Sequence, residues 1–472
     1  MKTNATSPPQ YHITAAVPHH RRKYHINAAK VKIIKQQLTN WLPRLRWPFI
    51  KGSEQSLLVW ACILYGLAAV GAAVQSWGLA QTSTNTINGA PFHEYNNYVI
   101  FKQSFYHLMS RADLYQSWPA EHWDLFKYTP TFALFFGVFA LFPDLWGLMG
   151  WNLLNAAVLA GGLFYLKTGS RRERALGMLF LWPELLISLQ NEQSNALIAG
   201  LLLLALGGLE RGQHMRPALW IMCSVFIKLF GVMALALVPC YKRWRLILLK
   251  AMVIGFILAA APILLVSTHY YWAMILSYID MLAHDHAVSN GMSVMGWLQA
   301  WFGPMMSIEF PKTPVLLVGL MMLIMPVAWV WLIQMRKQGM MGAWWQEGLH
   351  SSQAFRGLWL SSLMIWMVIF NHKAESPTFI IALSGILLAY INGPRSGWDR
   401  FLLMACWILS SWSPTDVFPS TLRKVWIEPY QLKVFPCILY WMRVVWLMTN
   451  TARFYRSEAP VSVNQKGRQH FT

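Results

Sequence analysis

From Leu57 onward the chain is a succession of apolar runs, many near the length that crosses a bilayer core of about 30 Å. No other feature constrains the fold as much. Only 12% of the residues are charged, against about 25% in soluble domains, while 56% are hydrophobic and 26 are Trp. The sequence predicts an all-α polytopic membrane protein.

The net charge of +20 first suggests nucleic acid, but its distribution argues against that partner. Basic residues gather in an N-terminal tail (Arg21, Arg22, Lys23, Lys30, Lys32), in short loops between apolar runs, and in a C-terminal tail (Arg453, Arg456, Lys466, Arg468). That is the positive-inside pattern of membrane proteins. No basic-aromatic nucleic-acid module is present. The N-terminal tail has no acid before Glu54, which suits anionic headgroups. The first apolar stretch begins too late for a cleavable signal peptide, so 57–80 reads as an uncleaved first span. The five cysteines lie in or beside apolar segments without metal spacing and predict no disulfide framework.

Charge bookkeeping gives a self-consistent topology. A basic cytoplasmic tail, 1–56, precedes a transmembrane domain, 57–450, and a basic cytoplasmic tail, 451–472, follows it. A large outer loop, 81–128, separates the first span from the rest. "KTGSRRER" (167–174) and "ERGQHMR" (210–216) read as inside, so the chain between them crosses twice. The stretch 217–245 is too short for two full spans and reads as two short helices meeting near Lys228. Residues 268–312 read as an outer loop, "NHKAESP" (371–377) as another. The run Thr131–Phe142, flanked by Pro130 and Pro143, covers only about 18 Å as a helix. A re-entrant segment there keeps KTGSRRER inside; a full span would put that basic loop outside. Within 81–128, apolar residues at Tyr98, Phe101, Phe105 and Leu108 predict an amphipathic helix along the outer surface.

The stretch "LISLQNEQSNALIAGLLLLAL" sets six polar residues, Gln190 to Asn195, between two greasy segments. Lys228, the 81–128 loop and NHKAESP fall on the same side in this topology. Charged groups lining a membrane cavity are costly and point to function. Each also has a plainer reading: QNEQSN as a solvated turn, Lys228 snorkelling to headgroups, His372 and Glu375 capping a helix end. His284, Asp285 and His286 match no strong metal spacing, so no metal is expected.

The residues also carry a resemblance. "NYVIFKQSFYHLMSRADLY" followed by "FKYTPTFALFFGVFALFPDLWGLMGWNLLNAAVL" resembles glycosyltransferase family 87, which includes polyprenyl-phosphate-mannose-dependent mannosyltransferases. "QNEQSNALIAGLLLLAL", "IKLFGVMALALVPCYKRWR" and "FNHKAESPTFIIALSG" are similar to later segments of that family, in order, over roughly residues 57–450. The resemblance implies a C-type glycosyltransferase-like bundle of about 10–13 membrane segments. It implies an active site on the extracytoplasmic face of the inner membrane. The donor would be a polyprenyl-phosphate sugar, the acceptor a lipid or glycan, with no cofactor.

Such transfer needs a base for the acceptor hydroxyl and donors for the leaving phosphate. In the family an Asp in the first outer loop is the expected base; its place here is taken by Asn97, which cannot act as one. Glu94, one helical turn earlier, is the first substitute, with His372 and Glu375 next. Asn97, Gln190, Asn191, Gln193 and Asn195 are candidates for sugar hydroxyls. Lys102, Lys228 and Lys373 are candidates for phosphate, and Tyr128 for stacking. Two rivals stand beside the enzyme. A transporter or flippase predicts two related halves with paired broken helices. A non-catalytic membrane scaffold is motivated by Asn97.

Overall fold

The computed structural model describes residues 54–83, 86–87, 90–284, 290–338 and 352–454. The two basic tails fall almost wholly outside the described residues, as do Asp285 and His286.

Helix α1, Glu54–Ala80, is the first long apolar helix. After a short antiparallel ladder (β1, Thr86–Ile87; β2, Ala90–Pro91), α2 spans Asn96–Ser110. Then follow α3 (Pro130–Ala140), α4 (Asp144–Tyr165), α5 (Arg171–Gln190), α6 (Asn195–Leu209) and α7 (Met215–Ile227). A 3-10 helix, Leu229–Cys240, leads to α8 (Trp244–Ala260), α9 (Thr268–His284), α10 (Val294–Met306) and α11 (Lys312–Gln338). The remainder is α12 (Gln353–Ile369), α13 (Phe379–Asn392), α14 (Gly397–Cys406) and α15 (Phe435–Phe454). The described residues thus form an all-α polytopic bundle.

Among them, four helices are long and apolar enough to cross a membrane: Glu54–Ala80, Asp144–Tyr165, Trp244–Leu264 and Lys312–Leu332. The other apolar helices, such as Asn195–Leu209 and Gln353–Ile369, are shorter. They are short because they are interior: nearly every residue of α6 is buried by its neighbours. A helix sheathed by protein need not match the full bilayer thickness.

Helices α4 and α6 touch backbone to backbone. A Cβ on Gly200 would lie 2.4 Å from the Val158 carbonyl oxygen, and one on Gly207 2.3 Å from that of Tyr165. Small residues are what such an approach requires. Helix α5 starts where Ser170 and Glu173 form a reciprocal capping box.

The bundle has two chemically distinct ends. At one, Lys167 Nζ donates to the Glu210 carbonyl oxygen (3.1 Å), Arg356 Nε and Tyr241 OH donate to the Glu210 carboxylate (2.7 and 2.6 Å), and Arg395 pairs with Glu173. These contacts bring together the loops after α4, α6 and the 3-10 helix and those bounding α12 and α13. At the other end, Gln190, Asn191, Gln193 and Lys228 meet side chains of α1, α2 and the 371–378 loop. The alternation read from charge is therefore present in the packing.

Helix α3 does not change ends. Its first residues sit beside Phe226, through the Thr129 hydroxyl, while at its far end Tyr98 OH and Tyr106 OH of α2 donate to the Phe139 and Ala140 carbonyls. Asp144, opening α4, pairs with Lys102 of the same α2. This is the re-entrant arrangement. Eleven residues advance only about 16 Å. The apolar face of α2 forms as the spacing predicts, but it faces protein: Phe101 packs on Phe132, Phe136 and Trp151.

The two short helices meeting near Lys228 are also present. Lys228 is extended between α7 and the 3-10 helix. The 3-10 geometry stretches twelve residues to about 24 Å, which lets a short segment return across the bundle. The expected outer loop 268–312 instead contains α9 and α10. Tyr271, Met274, Tyr278 and Met281 are the buried stripe of α9, a helical period too short for a scan of long apolar runs.

Candidate active site

The six-residue polar run is not a solvated turn. Helix α5 ends as Asn191 Nδ2 donates to the Ile187 carbonyl (2.8 Å), and Glu192 then takes a left-handed φ of 48°. Glu192, Gln193, Ser194 and Asn195 are all buried. Trp151 Nε1 holds the Glu192 carbonyl (2.7 Å), and Ser76 Oγ donates to its carboxyl (3.0 Å). Burial pushes the Glu192 carboxyl well above the usual carboxylate range, and Glu94 nearby pushes it the same way against the Ser76 hydrogen bond.

From this turn a chain of side chains runs to a cavity. Lys228 Nζ donates to Asn195 Oδ1 (3.0 Å); Asn195 Nδ2 donates to Gln193 Oε1 (2.5 Å) and to the Pro377 carbonyl (3.1 Å); Gln193 Nε2 donates to Glu375 Oε2 (2.7 Å). A lysine and a carboxylate on separate helix ends are thus held in register by two buried amides.

The cavity measures about 290 Å³. Its charged lining is Lys127, Lys228 and Lys373 against Asp124 and Glu375. Asn97, Gln193 and Asn371 supply amides; Tyr128, Phe230 and Tyr278 supply rings. Lys228 Nζ lies 5.3 Å from the Tyr128 ring centroid and 5.7 Å from that of Phe230. Lys127 Nζ pairs with Asp124 at 3.1 Å.

Of the sequence candidates, Asn97, Tyr128, Gln193, Lys228, Lys373 and Glu375 come together here. Asn195 lies behind the wall, fully buried, and acts on the cavity by orienting Lys228 and Gln193. Gln190 and Asn191 line a neighbouring cavity instead. Lys102 is held by Asp144 and does not line the cavity. Glu94 and His372 are not among the lining residues either. Asn97 Nδ2 donates to the Asn191 carbonyl oxygen (2.8 Å), so its amide serves as a clamp on the polar turn.

Asp124, Lys127, Asn371 and Tyr278 were not singled out from the sequence as site residues. Asp124 and Lys127 lie in the outer loop 81–128, where nothing in the sequence sets them apart from its other charges, and Tyr278 sits on the unforeseen α9. Asp113, in the "RADLY" segment, is structural: both its carboxylate oxygens accept from Ser277 Oγ at 2.9 Å, pinning the loop to α9. Among the described residues no group of three His, Cys, Asp or Glu is placed to hold a metal.

A polytopic helical bundle with an amide-lined chamber carrying three lysines and two carboxylates at one end defines an integral membrane protein with a polar cavity. Residues 126–345 match the model of glycosyltransferase family 87. The match includes the polar turn and Lys228; it stops short of Asn97 on one side and Glu375 on the other. No curated protein matches the chain.

Proposed function

We propose that the protein transfers a hexose, mannose in the first instance, from a polyprenyl-phosphate donor to a hydroxyl of a lipid or glycan acceptor. The reaction takes place on the extracytoplasmic face of the inner membrane. The observation that carries this reading is the Lys228–Asn195–Gln193–Glu375 relay, which fixes a cation and a carboxylate in one chamber.

The donor phosphate is anionic, and Lys228 and Lys373 are the cations that answer it. Charge builds on the phosphate as the anomeric C–O bond breaks, so preorganised donors stabilise the transition state more than the ground state. Glu375 takes the proton of the acceptor hydroxyl, whose oxygen bonds to the anomeric carbon. The bonding pair of the broken C–O bond leaves with the polyprenyl phosphate. One displacement inverts the anomeric centre. Asn97, Gln193 and Asn371 offer hydrogen bonds to sugar hydroxyls, and Tyr128 offers a ring face. Glu94 and His372 are assigned no direct role. The basic loops at the opposite end of the bundle support the orientation, since Lys and Arg are retained in the cytoplasm.

The test is transfer by purified protein in nanodiscs, offered a panel of polyprenyl-phosphate hexoses and a membrane-lipid extract. Wild type is expected to transfer, and Glu375→Gln to lose about 10²–10⁴ in rate, the usual worth of a general base. Transfer undiminished in Glu375→Gln would remove that residue from the mechanism. Neither donor binding nor transfer would favour the scaffold, and movement of donor across the bilayer without bond cleavage would favour the flippase.

A further inference from the structure

Beside the chamber lies a second cavity, of about 610 Å³. The two share a wall. Gln193 and Glu375 face the first cavity; Gln190, Asn191, Ser376 and Pro377 face the second. The wall is therefore two short turns, joined by the Gln193–Glu375 hydrogen bond.

The far side of the second cavity is the segment between α14 and α15. Two wide, π-type turns, Trp407–Trp412 and Arg423–Ile427, interrupt it. Such turns are uncommon and are frequent at functional sites. They deliver Ser413, Thr415, Arg423 and Glu428 to the cavity.

Its charges are balanced, unlike those of the chamber. Arg423 Nη1 donates to the Pro414 and Thr415 carbonyls (3.3 and 3.2 Å) and approaches Asp416 (3.4 Å), with Glu428 3.7 Å from its Nε. Lys433 Nζ is taken up by the Glu184 carboxylate (3.0 Å) and Ser376 Oγ (2.7 Å). A lining of hydroxyls, amides and internally neutralised ion pairs suits a neutral polyol rather than an anion. Val417 lines the cavity and is exposed, and Leu422, Val425 and Trp426 of the same segment are about half or more exposed, which gives that segment an apolar rim.

We propose that this second cavity is the acceptor subsite, taking the neutral, hydroxyl-rich headgroup of an amphiphile whose apolar part lies on the Val417–Trp426 rim. The inference rests on the transferase reading. It assigns the phosphate-bearing donor to the lysine-lined chamber and the acceptor to its neighbour, with Glu375 on the dividing wall between donor and acceptor.

The test uses full-length protein in nanodiscs with octyl hexosides carrying a diazirine, and maps the labelled peptides by mass spectrometry. Label is expected within 413–431. Thr415→Trp, which fills the cavity, is expected to lower it by about tenfold, and Asp416→Ala, a fully exposed side chain, by about threefold, the worth of one hydrogen bond. Undecaprenyl phosphate binding retained in both variants reports that they fold. Label confined to the walls of the first chamber, or unchanged in both variants, would overturn the subsite. Transfer with label elsewhere would overturn the subsite alone. Label at 413–431 without any transfer would overturn the transferase reading and the acceptor role with it, leaving a carbohydrate site.

Discussion

Replacing Lys228 by Met tests the chamber most directly. The lysine ends α7 in an extended conformation, its Nζ fixed 3.0 Å from Asn195 Oδ1 and 5.3 Å from the Tyr128 ring centroid. Its position is thus set before substrate arrives, and little reorganisation is left for the reaction. A unit charge about 4 Å from a phosphate is worth about 4 kcal/mol at an effective dielectric near 20. Removing one preorganised donor from a developing anion costs about 2.7–4 kcal/mol in comparable sites. Both figures give a loss of about 10²–10³ in kcat/KM, short of complete because Lys127 and Lys373 remain. Met keeps most of the length and packing of the stem while leaving Asn195 Oδ1 without its donor, at about 1–3 kcal/mol of stability. The assay is hexose transfer scored by mass spectrometry, with thermal melting as the fold control. A folded Lys228→Met variant within about threefold of wild type would refute the assignment of this cation to the phosphate.

Other outcomes follow from the same geometry. Asn97→Asp, which introduces the acid found at this place in the resembling family, sets a carboxylate against the Asn191 carbonyl oxygen now 2.8 Å from Asn97 Nδ2; it is expected to lower stability by about 1–3 kcal/mol without raising turnover, and a gain in turnover would reverse this view of Asn97. Glu192 lies between helices with its carboxyl raised by burial, so the folded protein keeps this proton where the unfolded chain releases it. Its stabilising contribution is full below the ordinary carboxylate range and is lost as pH rises through the raised folded value. Glu192→Gln should therefore flatten the alkaline limb of a melting-temperature profile, and parallel profiles would contradict the assignment. At the opposite end of the bundle, Arg356→Ala leaves the mostly buried Glu210 without its forked partner (2.7 and 2.8 Å) and is expected to cost about 3–5 kcal/mol in thermal or denaturant unfolding, with turnover per folded molecule unchanged.

The sequence determined the solvent of this protein and the alternation of its segments between two ends. Long apolar runs admit few folds in a bilayer, and basic loops recur between them, so helical class, alternation of ends and the break at Lys228 were legible before any coordinates, while α3 stood open between a re-entrant segment and a full span. So was the importance of QNEQSN, since six polar residues between greasy segments need a reason.

What each of those six does was decided only by tertiary structure. The run is a turn with a left-handed residue in it, and consecutive side chains leave it in different directions: Gln193 to the chamber, Asn191 to the neighbouring cavity, Glu192 inward to Ser76. No period in the sequence encodes that split. The pairing of Gln193 with Glu375 joins residues 182 positions apart, and Lys102 leaves the candidate set because Asp144 reaches it first. Helix α9 was hidden because its stripe is short and mixed, and Tyr278 with it. Composition and hydropathy report what each segment is dissolved in; which polar groups meet is set by how the helix ends pack, and that is a property of the whole fold.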